Sequence, residues 1–296
     1  MSYVVGFSPH KDDQGPLELA CQFARSESDT VHAVTVVPRG WATPVAGDTD
    51  REFEAWAAEV GEASATQALE RLAAHGDVTA AATWVTGRSV PAALLERAAD
   101  LDASILVVGS GDAGTPGRIT LTSKTSRLVH SSTLPVAIAP QAYRADGGRV
   151  DRVTIGFRDD DVTWSLLERV AAITRRVGAR LRLVTFAVRP RPMVTATVSL
   201  AEGQVYEQWC RQALAAQQEA HRHLLDSGFA EDEVELALAE GATWAEAVDS
   251  LTWLPGDVMA VGSSATHRLA QVFLGSSATK IVQHSPVPVV VVPSAA

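Results

Sequence analysis

Ile105-Leu-Val-Val-Gly109 returns 153 residues later as Val258-Met-Ala-Val-Gly262, and from there the two stretches run on together without a gap. Ser123 falls on Ser276, Val129 on Val282, Ser132 on Ser285, Pro135 on Pro288, Val136 on Val289 and Pro140 on Pro293. The starts agree as well: Val4-Val-Gly-Phe7 returns as Thr154-Ile-Gly-Phe157, and Val34-Thr35 as Val184-Thr185, at an offset of 150. Self-similarity over such a period means that one fold is present twice. The polar, glycine-bearing stretch Gln141 to Val150 is the place for the linker, which predicts one domain over 1–143 and a second over 151–296.

Each copy alternates short apolar runs with helical stripes, the pattern of a parallel sheet covered on both faces. In the first copy the expected strands are Tyr3 to Phe7, Thr30 to Val37, Val78 to Val85, Ser104 to Gly109 and Val136 to Ala139. Phe53, Trp56, Ala57 and Val60, continued by Ala65, Leu69 and Leu72, recur at helical spacing and read as a core-facing stripe. In the second copy Leu166, Val170, Ile173 and Val177 form such a stripe closed by Gly178, and Val205, Trp209, Ala213, Ala216, Ala220 and Leu224 another closed by Gly228. Thr243-Trp-Ala-Glu246 has the form of a capping box, and Ser89 ahead of Pro91 that of a helix start. The fold class is therefore α/β, with two tandem Rossmann-like domains, each a five-stranded parallel sheet with helices on both faces.

Composition bounds the function. The chain has 296 residues, 46% of them hydrophobic, enough for two cores. The formal charge is −10 and is spread over both copies, which argues against nucleic acid as a partner because phosphate binding needs a basic surface. No apolar run is long enough to span a bilayer and no charged leader precedes one, so a cytoplasmic protein is expected. Cys21 and Cys210 belong to no C-x-x-C pair and read as buried thiols. There is no G-x-S-x-G elbow, P-loop, H-E-x-x-H pair or dinucleotide fingerprint, so the chain does not read as an enzyme. His10 reads as a surface loop histidine, and the acidic trio Asp159 to Asp161 as a complement to a helix dipole.

Ligands of such sheets sit beyond the carboxyl ends of the strands, where strand order reverses. That directs attention to the loops after the first and fourth strands, from Ser8 and Arg158 and from Gly109 and Gly262. The terminal blocks of both copies, Val-Val-Gly109 to Leu134-Pro-Val136 and Ala-Val-Gly262 through Leu274-Gly-Ser276 to Pro286-Val-Pro-Val-Val290, resemble the universal stress protein family in its tandem form. ATP-binding members carry G-x2-G-x9-G-[S/T] there, and an Asp at the end of the first strand.

The resemblance implies a candidate site for an adenine nucleotide, ATP with magnesium or AMP, in the second copy. Gly262, Gly275 and Ser276 match, Ala265 replaces the middle glycine, Ser263 and Ser277 adjoin the motif, and Arg158 in the loop after the first strand and Arg268 supply guanidinium groups suited to phosphate. The first copy holds the degenerate equivalents Ser8, Gly109, Ser110, Asp112, Thr122 and Ser123, with Asp112 placing a negative charge where phosphates would lie. Neither copy keeps the first-strand Asp. The resemblance further implies a stress-response regulatory role, an unidentified protein partner, and apolar last strands that pair the copies as an intrachain pseudo-dimer or pair two chains as a homodimer. The alternative is a member that binds no nucleotide and serves as an interaction or assembly protein.

Overall fold

The computed structural model describes residues 2–40, 49–189, 196–265 and 272–294. Among the described residues two compact units emerge, one of residues up to 149 with 272–273 and the other of residues 150–265 with 274–294. The first runs β1 (Ser2–Phe7), α1 (Gly15–Glu27), β2 (Thr30–Pro38), α2 (Thr49–Ala73), β3 (Ala80–Gly87), α3 (Val90–Asp100), β4 (Ala103–Gly109), α4 (Ser123–Ser131) and β5 (Val136–Ala139). Its strands lie in the order β3-β2-β1-β4-β5, all parallel. The third strand starts two residues later than the apolar run beginning at Val78 suggested.

The second unit repeats the plan with β6 (Arg152–Gly156), α5 (Asp161–Val177), β7 (Arg180–Val188), α6 (Ala196–Asp226), β8 (Val234–Gly241), α7 (Trp244–Asp249) and β9 (Asp257–Gly262). The two-residue strand β10 (Ser264–Ala265) follows; β11 (Val272–Phe273) groups with the first unit, and α8 (Ser276–His284) and β12 (Val289–Val292) complete the second. Here the order is β8-β7-β6-β9-β12, again parallel. A parallel strand is covered on both faces, which is why Val4, Val5, Leu106 and Val107 of one unit and Ile155, Leu181, Leu183, Val258 and Met259 of the other are all buried.

Local chemistry sets the helix ends. Ser89, Thr122, Asp160 and Thr243 each accept a hydrogen bond from the backbone three residues on, and Gly178 ends α5 in the left-handed region at φ 68°. The expected box at Thr243 is modified, since the Glu246 carboxylate accepts from Ala242 N rather than from Thr243. The stretch after Gln141 is pinned rather than loose: Tyr143 Oη donates to Gln22, Arg144 pairs with Glu18, and Arg149 exchanges hydrogen bonds with Gln22 and Ser26, all on α1.

Two expectations about burial fail. Trp56, Leu69, Ile173, Val205 and Trp209 are exposed, Val205 at 70%, and Cys210 is only half-buried while Cys21 is fully enclosed. Helix length explains the rings on α2 and α6. At about 1.5 Å per residue α6 is about 46 Å long, against about 30 Å for the nine-residue β7 it covers. Its far end, with Ala220 and Leu224, packs on the sheet, while its first turns run past the strand ends. The 25-residue α2 does the same, so one continuous apolar stripe serves the core at one end and a cleft at the other. Among the described residues no helix is long and apolar enough to cross a membrane.

Candidate functional site

In each unit strand order reverses at the first strand, which has the second strand on one side and the fourth on the other, and a cleft opens there beyond the carboxyl ends. The second unit's cleft measures about 690 Å³, and the first unit's about 450 Å³.

The second cleft is walled by Gly156 to Arg158 after β6, by Thr185 to Val188 at the end of β7, by Tyr206 and Trp209 on the overhanging turns of α6, and by Trp244. Its floor is the start of α8: Gly275, Ser276, Ser277 and Ala278. No side chain of the described residues caps this helix, so its first N–H groups and the positive end of its dipole face the cleft. Gly275 has φ −58° and ψ 159°, a conformation open to any residue, and among the described residues no atom beyond its chain neighbours lies within 4 Å of where a Cβ would stand. Neither strain nor crowding inside the protein accounts for a glycine there, and the vacant space is the kind a phosphate fills. The aromatic walls are ordered among themselves. Tyr206 and Trp209 stack with centroids 6.4 Å apart, Phe186 and Trp244 lie 6.0 Å apart, Arg189 covers Tyr206 at 5.2 Å, and Tyr206 Oη donates to Glu240 at 2.9 Å. Burial and then the Glu240 bond push the Tyr206 phenol well above its usual range, so it stays protonated.

The second copy's other candidates divide. Gly262 lines the cleft uncrowded, the nearest approach to its Cβ position being 3.5 Å. Ser263 does not serve as expected: it is fully buried and its hydroxyl donates to the Val292 carbonyl at 3.3 Å. Arg158 is present but held, its Nε donating to Asp160 Oδ2 at 2.6 Å. Burial alone would raise the Asp160 carboxyl, but hydrogen bonds from Thr163 N and Oγ1 and from Arg158 outweigh it and hold the carboxyl below its usual range. Ala265 ends β10, and Arg268 lies outside the described residues.

In the first unit the equivalent loop is closed by its own bonds. Gly111 N donates to Thr120 O at 2.9 Å, Thr120 N to Ser110 Oγ at 2.7 Å, and Thr125 N to Thr122 Oγ1 at 3.1 Å. Thr122 Cγ2 stands only 2.7 Å from where a Gly111 Cβ would be, so the cradle is filled by the chain itself. Gly109 is glycine for a packing reason, because Pro16 Cγ lies 2.8 Å from its Cβ position. Asp112 is not a free charge: Lys11 Nζ reaches it at 2.8 Å. Ser8 lines the cleft, whereas Ser123 is an exposed first residue of α4. Among the described residues no group of three or more His, Cys, Asp or Glu converges on a metal position.

The sequence reading missed the aromatic walls, since helical spacing cannot distinguish a ring over the core from a ring over a cleft. It also missed Asp13, whose Oδ1 accepts from Gly15 N at 2.9 Å and Ala142 N at 3.2 Å.

This doubled switch-point architecture defines a class of tandem α/β domains, and comparison places it. The universal stress protein family model matches residues 3–140 and again 149–293, and the chain belongs to that family. Relatives named universal stress proteins in Mycobacterium tuberculosis H37Rv and Mycobacterium bovis are 36% identical over 295 residues, covering 99% of this chain and all of theirs. Among solved structures, a universal stress protein from Archaeoglobus fulgidus matches with a TM-score of 0.63 at 16% identity over 99% of this chain and 98% of its own. One described as a putative universal stress protein from Pseudomonas aeruginosa matches at 0.58 and 15%, over 99% and 93%. These two share the fold.

Proposed function

We propose that the protein is a non-catalytic, cytoplasmic stress-response regulator whose second unit binds an adenine nucleotide, ATP or AMP. What carries the reading is the uncapped start of α8 at Gly275, open to a phosphate, at the floor of a cleft whose other walls offer Tyr206, Trp209 and Trp244 to a base. In it, Ser276 and Ser277 donate to phosphate, and magnesium arrives on the ATP phosphates, because the described residues form no acidic cage for it.

The test is calorimetry and thermal unfolding with ATP plus magnesium and with AMP. Nucleotide at a hundred times its Kd should stabilise the protein by about 2.7 kcal/mol. Gly275→Asp, which sets a carboxylate against the phosphate, should remove that response; no stabilisation of the native protein at millimolar nucleotide would refute the reading. The second reading, an interaction or assembly protein without nucleotide, draws on Val205 at 70% exposure and Leu214 at 40% on α6.

A further inference from the structure

We propose that the first unit's cleft is a second binding site of different chemistry, taking an apolar monocarboxylate rather than a nucleotide. The phosphate cradle is absent there, because the loop after β4 satisfies its own donors and Thr122 caps α4. What remains is a cleft of about 450 Å³ walled by Phe7, Val36, Trp56, Leu94, Val108 and Leu128. Apolar walls with a few placed polar groups are the usual make-up of a small-molecule site.

The lysines and the aspartate that line it differ in state. Lys11 is held by Asp112, and Asp13 is engaged by the backbone of Gly15 and Ala142. That leaves the Lys124 ammonium, on the first turn of α4, without an ion-pair partner among the described residues. On the cleft wall, Thr35 is 4% exposed, and its hydroxyl is shielded from solvent and finds no hydrogen-bond partner among the described residues. Its counterpart Thr185 is fully satisfied, donating to Phe157 O and accepting from Gln217 Nε2. A buried hydroxyl left unpaired is unfavourable, and rotation about the Thr35 Cα–Cβ bond would present it to a group that enters the cleft. A ligand with its carboxylate on Lys124, its apolar body between Trp56 and Leu94 and a hydrogen-bonding group toward Thr35 matches these three features of the lining.

The probes are decanoate, decanol and 10-hydroxydecanoate, titrated by calorimetry into the full chain, with hydrogen exchange locating protection. Decanoate should bind about tenfold tighter than decanol, Lys124→Met should erase that difference, and protection should fall on β2 and α4. The hydroxy acid should bind tighter than decanoate to the native protein and not to Thr35→Val. Lys124 is exposed, so its variant folds, and Gly275→Asp should leave decanoate binding intact. The proposal is overturned by no heat with millimolar decanoate, by equal decanoate affinity in Lys124→Met, or by protection confined to the second unit.

Discussion

The two units share a strand order and a switch-point cleft, yet they differ at both ends of the sheet. At the carboxyl ends, the first unit's loop folds back through Gly111, Ser110 and Thr120, while the second presents an uncapped helix at Gly275. At the opposite ends the second unit buries ions that the first lacks. Arg152 donates to Asp257 at 3.0 and 2.6 Å and to Glu235 at 2.8 Å, and Arg182 sits fully buried against Trp253 at 4.5 Å. Residues 2 and 32 occupy those places in the first unit, as Ser2 and His32. A duplicated fold thus tolerates divergence at the rims of its sheets while the strands between stay apolar.

The largest expected effect tests the buried ions. Asp257→Ala removes the carboxylate that holds Arg152 and leaves its guanidinium with the half-exposed Glu235 as its remaining carboxylate, beside the Thr252 carbonyl, which should cost the second unit about 3–5 kcal/mol. Burial, reinforced by Arg152, already pushes the Arg182 guanidinium down, so this end of the sheet has little tolerance for a further unpaired charge. Hydrogen exchange should show β6 and β9 weakened and β1 and β4 unchanged. Pairing the change with Arg152→Met should recover much of the loss, and failure to recover would mean that Asp257 acts through Leu254 N instead.

Next come the glycines. Gly109→Ala drives a methyl against the rigid ring of Pro16 and should destabilise the first unit by about 1–3 kcal/mol. Gly275→Ala meets no atom of the described residues and needs no unusual backbone, so stability should change by less than about 1 kcal/mol, in the favourable direction. Its cost should fall on nucleotide affinity. Equal stability losses at the two positions in denaturant titrations would erase the distinction between a packing glycine and an open one.

These positions also show how far the sequence carries. The repeat, the parallel sheets and the placement of the loops at Gly109 and Gly262 were legible, because strand burial writes itself as apolar runs and the switch point follows from topology. Trp56 and Trp209 were not, since their spacing is that of a core stripe and only the lengths of α2 and α6 reveal an overhang. Nor was the state of Arg158 or Asp112, because a sequence shows a charge and not the partner that holds it.

A smaller effect concerns the start of α5. Asp160 caps it, and Asp160→Ala should cost about 1 kcal/mol. The folded carboxyl lies below its unfolded value, so its contribution is complete above about pH 4 and fades as pH falls through the depressed folded value. The native protein and the variant should therefore converge in acid. The variant also releases Arg158, so tighter nucleotide binding is expected with it.

The smallest effect decides why the two clefts differ. The Lys11–Asp112 pair is exposed, 43% and 70% at its two side chains, and such pairs contribute less than about 1 kcal/mol. Asp112→Gly should hardly move the melting temperature. If repulsion by Asp112 were what keeps phosphate out of the first unit, this variant in a Gly275→Asp background would gain a response to AMP. The bonds from Gly111 N to Thr120 O and from Thr120 N to Ser110 Oγ involve no Asp112 side chain, and they keep the cradle filled whether or not a carboxylate stands beside it. No response to AMP is therefore expected in that double variant, and a shift of several degrees would return the explanation to charge.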